Sequence, residues 1–321
     1  MDKLIYIAAD FSEIGPCGAD ADFDVGSGTD AKNDFVLKGI IPDIVGGVYV
    51  PGTEFGGVLE YLQMGNMSDV VTRKGYTWRG LLSKGVITPP TGSDYKIVSG
   101  DANAVLAGLL SGFMGGLFHV PAEASGITID NYKFPLYCDY LEGITGMLRE
   151  YGGKLLISAD KPAASNGIII TAQAAKRVTI GDKYSSDYPV NLTYTDDGMG
   201  INHLICLGPG ELQNRTRVDL YVQEDGTIGT TQFYTGFKER TELYNYSNSE
   251  SESNLITYGK RRLMERMSKR SLTLNNADVD GDIGDLVYGY MNGIGTTALI
   301  SRKILTVQDV IWRRESKVEG V

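Results

Sequence analysis

The sequence predicts a mainly β protein with α+β insertions: two β-barrel domains and two smaller α/β domains. Three observations predict it. The 41 glycines and 19 tyrosines, against two tryptophans, suit many turns joining short strands. Most apolar runs are short, alternate with polar residues, and are punctuated by Gly and Pro. The hydrophobic period changes at Pro89-Pro90 and changes back near Val190. At 321 residues the chain is also too long for one ordinary core, and its 42% hydrophobic and 22% charged residues are those of a folded domain rather than a disordered one.

Taken in order, residues 1–92 read as the first barrel. Asp34-Phe35-Val36-Leu37, Val48-Tyr49-Val50, Val58 to Met64, Val70 to Arg73 and Tyr76 to Leu82 are β-rich runs. Gly46-Gly47, Pro51-Gly52 and Gly56-Gly57 separate several of them. Residues 93–188 read as an α/β domain. Asp101 caps a helix through about Met114, with Val105, Leu106, Leu109, Leu110 and Phe113 on one face, weakened by Gly108 and Gly112. A clearer helix covers Leu136 to Tyr151, where Tyr140, Leu141, Ile144, Met147, Leu148 and Tyr151 recur at helical spacing and Gly152-Gly153 stops it. Lys154 to Ser158 and Gly167 to Thr171 read as strands.

Residues 189–236 and 271–321 read as the second barrel. Its strands are Val190 to Tyr194, Ile201 to Cys206, Val218 to Val222 with a hairpin turn at Glu224-Asp225-Gly226, Leu286 to Tyr288, and a long alternating run from Thr296 to Trp312. In that run Ile300, Ile304, Thr306 and Val310 face opposite to Leu305, Val307 and Ile311. Residues 237–270 read as an inserted helical domain. Its helix follows the serine-rich stretch Ser247 to Ser253 and runs through about Lys269, with Ile256, Leu263 and Met267 as its apolar stripe. The start is acidic and Lys260, Arg261, Arg262, Arg266, Lys269 and Arg270 load the later part, the order the helix dipole favours.

The formal net charge is −10. A global nucleic-acid binder needs a basic face, because neutralising phosphates supplies most of that affinity, so the sign argues against that class. Cys17, Cys138 and Cys206 are odd in number and scattered, which indicates neither a disulfide framework nor a zinc cluster. The first ten residues lack a signal-peptide apolar stretch, and no apolar run approaches the roughly 20 residues that span a bilayer, so a membrane anchor is not expected.

No catalytic, cofactor-binding or metal-binding residue is nominated. His119 and His203 lie in different segments, and the sequence places no carboxylate or Cys partner beside either. Asp20-Ala21-Asp22-Phe23-Asp24 and Asp278-Val279-Asp280-Gly281-Asp282 open like calcium loops. They put Val25 with Ala31, and Ile283 with Gly289, where such a loop needs Gly and Glu. Gly293-Ile294-Gly295-Thr296-Thr297-Ala298 matches a dinucleotide loop in letters, but alternating β-branched residues follow where a helix is required. Ser93 to Lys96 and Ser158 to Lys161 both fit SxxK, and neither opens a helix. The Lys260 to Arg270 cluster reads as a solvated helix face paired with Glu250, Glu252 and Glu265.

The run Asn33 to Leu37, then Val48-Tyr49-Val50-Pro51-Gly52-Thr53-Glu54-Phe55-Gly56-Gly57-Val58-Leu59-Glu60, then Gly75 to Leu82 before Ile87-Thr88-Pro89-Pro90, resembles the opening of siphophage tail-hub proteins. The helix before Lys154-Leu155-Leu156-Ile157 resembles that family's α/β domain. Tyr234 to Arg240 and the step Ile283-Gly284-Asp285-Leu286-Val287 are similar to its second half. The resemblance is to the hub portion of tail-associated lysin-type proteins without a lysin domain, and it covers nearly the whole chain. It implies a non-enzymatic virion protein made in the host cytoplasm, a homotrimer whose two barrels per chain form a pseudo-six-fold ring closing the tail tube at the tail tip. Its implied partners are the distal tail protein ring, the tape measure protein and tip or receptor-binding proteins. DNA would pass through the lumen without specific binding. Any lytic activity would come from another protein. The rivals are a cell-wall hydrolase of the tail tip, with a carboxylate pair in a cleft, and a carbohydrate-binding adhesin.

Overall fold

The computed structural model of the chain describes residues 3–27, 31–66, 68–185, 191–224, 226–247, 249, 251–275, 279–291 and 294–320. The elements begin with β1 (Ile5–Ile7), β2 (Glu13–Pro16), β3 (Asp20–Gly26), β4 (Asp34–Gly39), β5 (Gly47–Tyr49), β6 (Gly56–Gly65), β7 (Ser68–Thr77) and α1 (Trp78–Leu82). Next come β8 (Ile97–Asp101), α2 (Ala102–Leu110), β9 (Phe118–His119), β10 (Thr128–Lys133), α3 (Tyr140–Glu150), β11 (Gly153–Asp160), β12 (Ile169–Lys176) and β13 (Thr179–Ser185). The last are β14 (Asn191–Asp197), β15 (His203–Leu207), β16 (Arg217–Val222), β17 (Ile228–Gly229), β18 (Thr241–Asn245), α4 (Glu252–Arg266), β19 (Lys269–Asn275), β20 (Leu286–Met291), β21 (Ile294–Gln308) and β22 (Ile311–Gly320).

The chain is mainly β and divides into two compact units, 1–193 with 272–319, and 194–271 with 320–321. The first unit holds an 11-stranded sheet in the order β13-β20-β21-β3-β4-β7-β6-β5-β1-β2, with β22 paired to β21. At its middle β3 pairs antiparallel with β4 on one side and with β21 on the other. On the buried side of these strands lie Phe23, Val25, Phe35, Leu37, Ile300 and Leu305, and the rings of Phe23 and Phe35 stack 5.1 Å apart. Burying each such side chain contributes about 1.5–3 kcal/mol.

A second core in the same unit sits under two helices. α3 packs on β11 and α2 on β12, burying Leu106, Leu110, Ile144, Met147, Leu155 and Ala172. Each helix starts where a carboxylate satisfies its free amides. Asp101 accepts from the Asn103 amide at 2.9 Å, and Asp139 from the Glu142 amide at 2.7 Å. α3 stops at Gly152, whose φ of +69° is left-handed and whose carbonyl then accepts from Arg177.

The second unit is a four-stranded sheet, β17-β16-β15-β18, with α4 on one face. Leu204, Cys206, Leu220, Leu255 and Leu263 fill the space between them. Gly259 lets α4 come this close: a Cβ there would lie 2.5 Å from Cys206 Sγ and 2.8 Å from Leu220 Cδ1.

Several elements differ from the sequence expectation. Among the described residues no sheet closes into a barrel. The strands of 189–236 and 271–321 are split among three sheets: β14 pairs with β19, β15–β17 join β18 in the second unit, and β20–β22 extend the 11-stranded sheet. The stretch read as a strand through Leu82 ends at Thr77, whose hydroxyl accepts from the Gly80 amide at 3.2 Å and starts α1. The run Trp78 to Leu82 is buried on all sides, so its apolar pattern carries no period to separate strand from helix. The helix expected from Leu136 starts at Tyr140, and α4 ends at Arg266, after which Lys269 opens β19.

The long terminal run is two strands. Asp309 and Val310 turn the chain with φ of +48° and +63°, and β22 doubles back on β21. Within β21 the inward parity switches. Ala298 and Ile300 are buried in the first part, Leu305 and Val307 in the second. The switch falls where the strand leaves β20 as its partner at Leu299 and takes up β3 at Arg302. Ile300 and Leu305, expected on opposite faces, are therefore both buried.

Candidate functional site

Three clusters of charged side chains stand out, and the sequence reading nominated none of them as a site. The first is in the first unit, where a cleft of about 640 Å³ is lined by Glu54, Arg79, Lys154, Asp282, Lys303 and Glu315 among others. Lys154, on β11, is 7% exposed and sends its Nζ to Asp282 Oδ2 and Asp285 Oδ2, both at 2.7 Å. Burial alone pulls the Lys154 ammonium down, but the hydrogen bonds it donates to Asp282 and Asp285 outweigh it, and the group stands above the usual lysine value. Asp285 is itself fixed: its Oδ1 accepts from the Val178 amide at 2.9 Å and its Oδ2 from the Asp282 amide at 2.9 Å. Beside this cluster Arg79, 1% exposed, gives Nε to Glu54 Oε2 at 2.5 Å and Nη2 to the Leu155 carbonyl at 2.7 Å.

These contacts explain the aspartate-rich step that resembled a calcium loop. The positive charge between Asp282 and Asp285 is the ammonium of Lys154, brought from 131 residues away in sequence in the case of Asp285. Asp278 lies outside the described residues. Among the described residues no group of three or more His, Cys, Asp or Glu is arranged to hold a metal ion. In the cleft Glu54, Asp282 and Asp285 are each engaged by a cation, so the arrangement ties the segment between β5 and β6 to α1, and the segment before β20 to β11.

The second cluster is in the second unit, around His203. Its Nε2 lies 2.7 Å from Asp219 Oδ1 and its Nδ1 2.7 Å from Glu239 Oε1, and Tyr221 stacks on the ring at 4.3 Å. Two carboxylate oxygens at the two ring nitrogens are both satisfied only when both nitrogens donate. Thr241 Oγ1 stands 3.1 Å from the same Nδ1, but Glu239 holds that nitrogen, so the ring is not placed to take a proton from the hydroxyl. Arg217 completes the group with two 2.8 Å bonds to Asp219, and it is the largest of the influences that hold the Asp219 carboxyl below its usual range. Asn202 fastens the segment carrying Glu239 by donating to the Lys238 carbonyl and accepting from the Arg240 amide.

The third cluster is an acidic row on the 11-stranded sheet. Asp20, Asp22 and Asp24 alternate along β3 on one face, so the first calcium-loop resemblance is a strand. Asp24 makes a two-pronged pair with Arg302, Thr306 donates to Asp22 at 3.3 Å, and the Asp309 amide donates to Asp20 at 3.1 Å. On the adjoining strand, burial and then the neighbouring Asp24 carboxylate hold the Asp34 carboxyl above its usual range.

The remaining sequence motifs fall on ordinary positions. His119 is exposed on β9. Ser93 lies in a loop, and Lys161 pairs with Glu13 at 2.6 Å. Gly293 lies outside the described residues, and Ile294 to Ala298 belong to β21 of a hairpin. On α4 the arginines turn mainly to Glu242 on β18: Arg262 at 3.3 Å and Arg266 at 3.0 Å. Of the acids expected to pair with them, Glu265 meets Arg262 at 3.6 Å, and Glu250 lies outside the described residues. Cys17, Cys138 and Cys206 form no disulfide with one another, and burial with the nearby Asp219 pushes Cys206 up to about 11.

Comparison with known structures returns phage tail proteins. The chain is similar to the tail protein from Neisseria meningitidis MC58 at 13% identity and a TM-score of 0.53, covering 100% of this chain and 96% of that one. It is similar to the 43 kDa tail protein of prophage MuSo2 from Shewanella oneidensis at 11% identity and a TM-score of 0.58, covering 99% of this chain and 98% of that one. No protein-family profile and no curated protein sequence matches. At these identities the likeness is one of fold: a mainly β phage tail fold over the whole length of the chain.

Proposed function

We propose that this chain is the structural hub at the distal tip of a long phage tail, closing the tail tube and linking the distal tail protein ring to tip and receptor-binding components. The observation that carries the reading is the end-to-end match to tail proteins at TM-scores of 0.53 and 0.58, which includes the inserted second unit as well as the large sheet. In this reading the hub is a homotrimer. Sheets that stay open in one copy become the two barrel walls per chain only when neighbouring copies cover their edges.

Asp20 and Asp22 on β3 and the net charge of −10 fit a wall past which DNA moves without being gripped, since like charge repels phosphate over about 8 Å at physiological salt. The hub is non-enzymatic. Its buried Lys154–Asp285 pair fastens the segment before β20 to β11, and His203 is held at both nitrogens. The test is electron microscopy of intact tails in which this chain carries a label. The expected result is label at the distal tip and a three-fold ring with a lumen. Label along the shaft, or a channel wall that is basic, overturns the reading. Release of sugar from purified cell walls by the chain alone favours the hydrolase instead.

A further inference from the structure

The two carboxylates that hold His203 are not equally held themselves. Asp219 lies on β16, whose register sets His203 opposite Tyr221, and Arg217 grips it with two bonds. Glu239 has no cation besides the ring among the described residues, and its carboxylate accepts one further bond, from the Thr241 hydroxyl at 3.4 Å. The ring plane is fixed between them, because Tyr221 stacks on it at 4.3 Å with 23° between the planes.

Glu239 belongs to the turn 236–240 between β17 and β18. It is the one side chain of that turn that folds back onto the sheet: Phe237 is 91% exposed, and Lys238 and Arg240 are exposed. The backbone of the turn is lightly fastened. The Lys238 amide reaches the Thr235 carbonyl at 3.4 Å and the Glu239 amide the Gly236 carbonyl at 3.1 Å, while Asn202 holds the Lys238 carbonyl and the Arg240 amide.

A ring with two N–H groups satisfies both carboxylates. When one proton leaves, one nitrogen turns a lone pair toward a carboxylate, and the two repel. Asp219 cannot retreat from Arg217 and its strand, so the remaining proton stays on Nε2. Nδ1 is then bare, and a donor already stands in reach. Thr241 Oγ1 is 3.1 Å away and needs only to rotate its hydrogen from Glu239 to the ring.

We infer that His203 is a pH-operated latch on the turn 236–240, closed by a ring proton on Glu239 and opened when the Thr241 hydroxyl takes over that nitrogen. The titratable and charged groups about the ring are Arg217, Asp219 and Tyr221 on β16 and Glu239 on the turn. α4 packs on the other face of the sheet, against Leu204 and Cys206. Arg217 foremost holds the Asp219 carboxyl low, and burial foremost holds the Tyr221 phenol high, so both keep their charge across neutral pH. The latch is therefore closed at lower pH and opens as pH rises through the titration of the ring.

The full chain labelled with ¹³C and ¹⁵N in histidine tests it, because the two histidines give two ring signals and the exposed His119 serves as the free-imidazole control. Amide exchange, corrected for its intrinsic pH dependence, is read over the same pH series. The expected result is a neutral His203 ring protonated at Nε2, with protection at Lys238 to Arg240 falling on the order of 10-fold at the same pH at which the ring titrates. Glu239→Gln should abolish that step. Thr241→Val, which has no hydrogen to give Nδ1, should keep the ring charged to higher pH, and Thr241→Ser should restore the native titration. A neutral ring protonated at Nδ1, protection that stays flat while His203 titrates, or a step that Glu239→Gln retains overturns the latch. The latch and the tail reading can each fail alone.

Discussion

At the scale of single residues, the features that hold the molecule are buried charges whose partners come from far along the chain. Lys154→Met should destabilise the first unit by about 3–5 kcal/mol, because it leaves the nearly buried Asp285 carboxylate unpaired; chemical denaturation reads this directly. Since the folded Lys154 value is raised, its contribution is complete below the unfolded lysine value of about 10.4 and is lost as pH rises through the folded one. Melting curves of the native chain and of Lys154→Met should therefore converge at strongly alkaline pH. Asp219 runs the other way. Its folded value is lowered, so its contribution is complete above the unfolded value of about 3.9 and is lost as pH falls through the folded one. Asp219→Asn should remove this acid-side loss, measured as the pH dependence of melting. The sequence showed none of these pairings. It left His203 without carboxylates because Asp219 and Glu239 stand 16 and 36 residues away, and only the pairing of β15 with β16 and the Asn202 clasp bring them to the ring.

At the scale of elements, legibility followed local signals. α3 could be placed from its spacing and its stop at Gly152, and α2 from its cap at Asp101, because both lie within a few residues of the structure they dictate. Asp101 does more than cap: Ser125 and Gly126 also bond to it, so Asp101→Ala should cost about 1–2 kcal/mol and loosen the loop before β10 as well as α2. Hydrogen exchange at Ser125 to Ile127 would report the second effect. α1 was misread because five consecutive buried residues look the same as strand or helix. The turn at Asp309-Val310 was missed for a related reason: Val310 reads as part of the strand run, yet it and Asp309 sit in the left-handed region that a β-branched residue disfavours. Gly259 gives a sharper test of α4. In an isolated helix Gly→Ala gains about 1 kcal/mol. Here Gly259→Ala should instead lower the melting temperature of the second unit, because the added methyl meets Cys206 and Leu220.

At the scale of the whole molecule, the mainly β class was readable from composition and punctuation, whereas the partners of each strand were not. Period-two patterns fix which face of a strand is buried and leave open which strand lies beside it. Two regions that each read as a barrel were instead distributed over one large open sheet, one four-stranded sheet and the two-stranded pair β14-β19. That distribution places Asp24 of β3 against Arg302 of β21, 278 residues later. A ribosome adding about 5–20 residues per second leaves β3 waiting on the order of 15 to 60 seconds for the neighbour that finishes its sheet. During that interval its free side is an open template for the wrong strand. Synthesis of the first unit therefore ends in a single late closure, and chains cut short near residue 280 should accumulate as insoluble material while the 194–271 segment alone remains in solution.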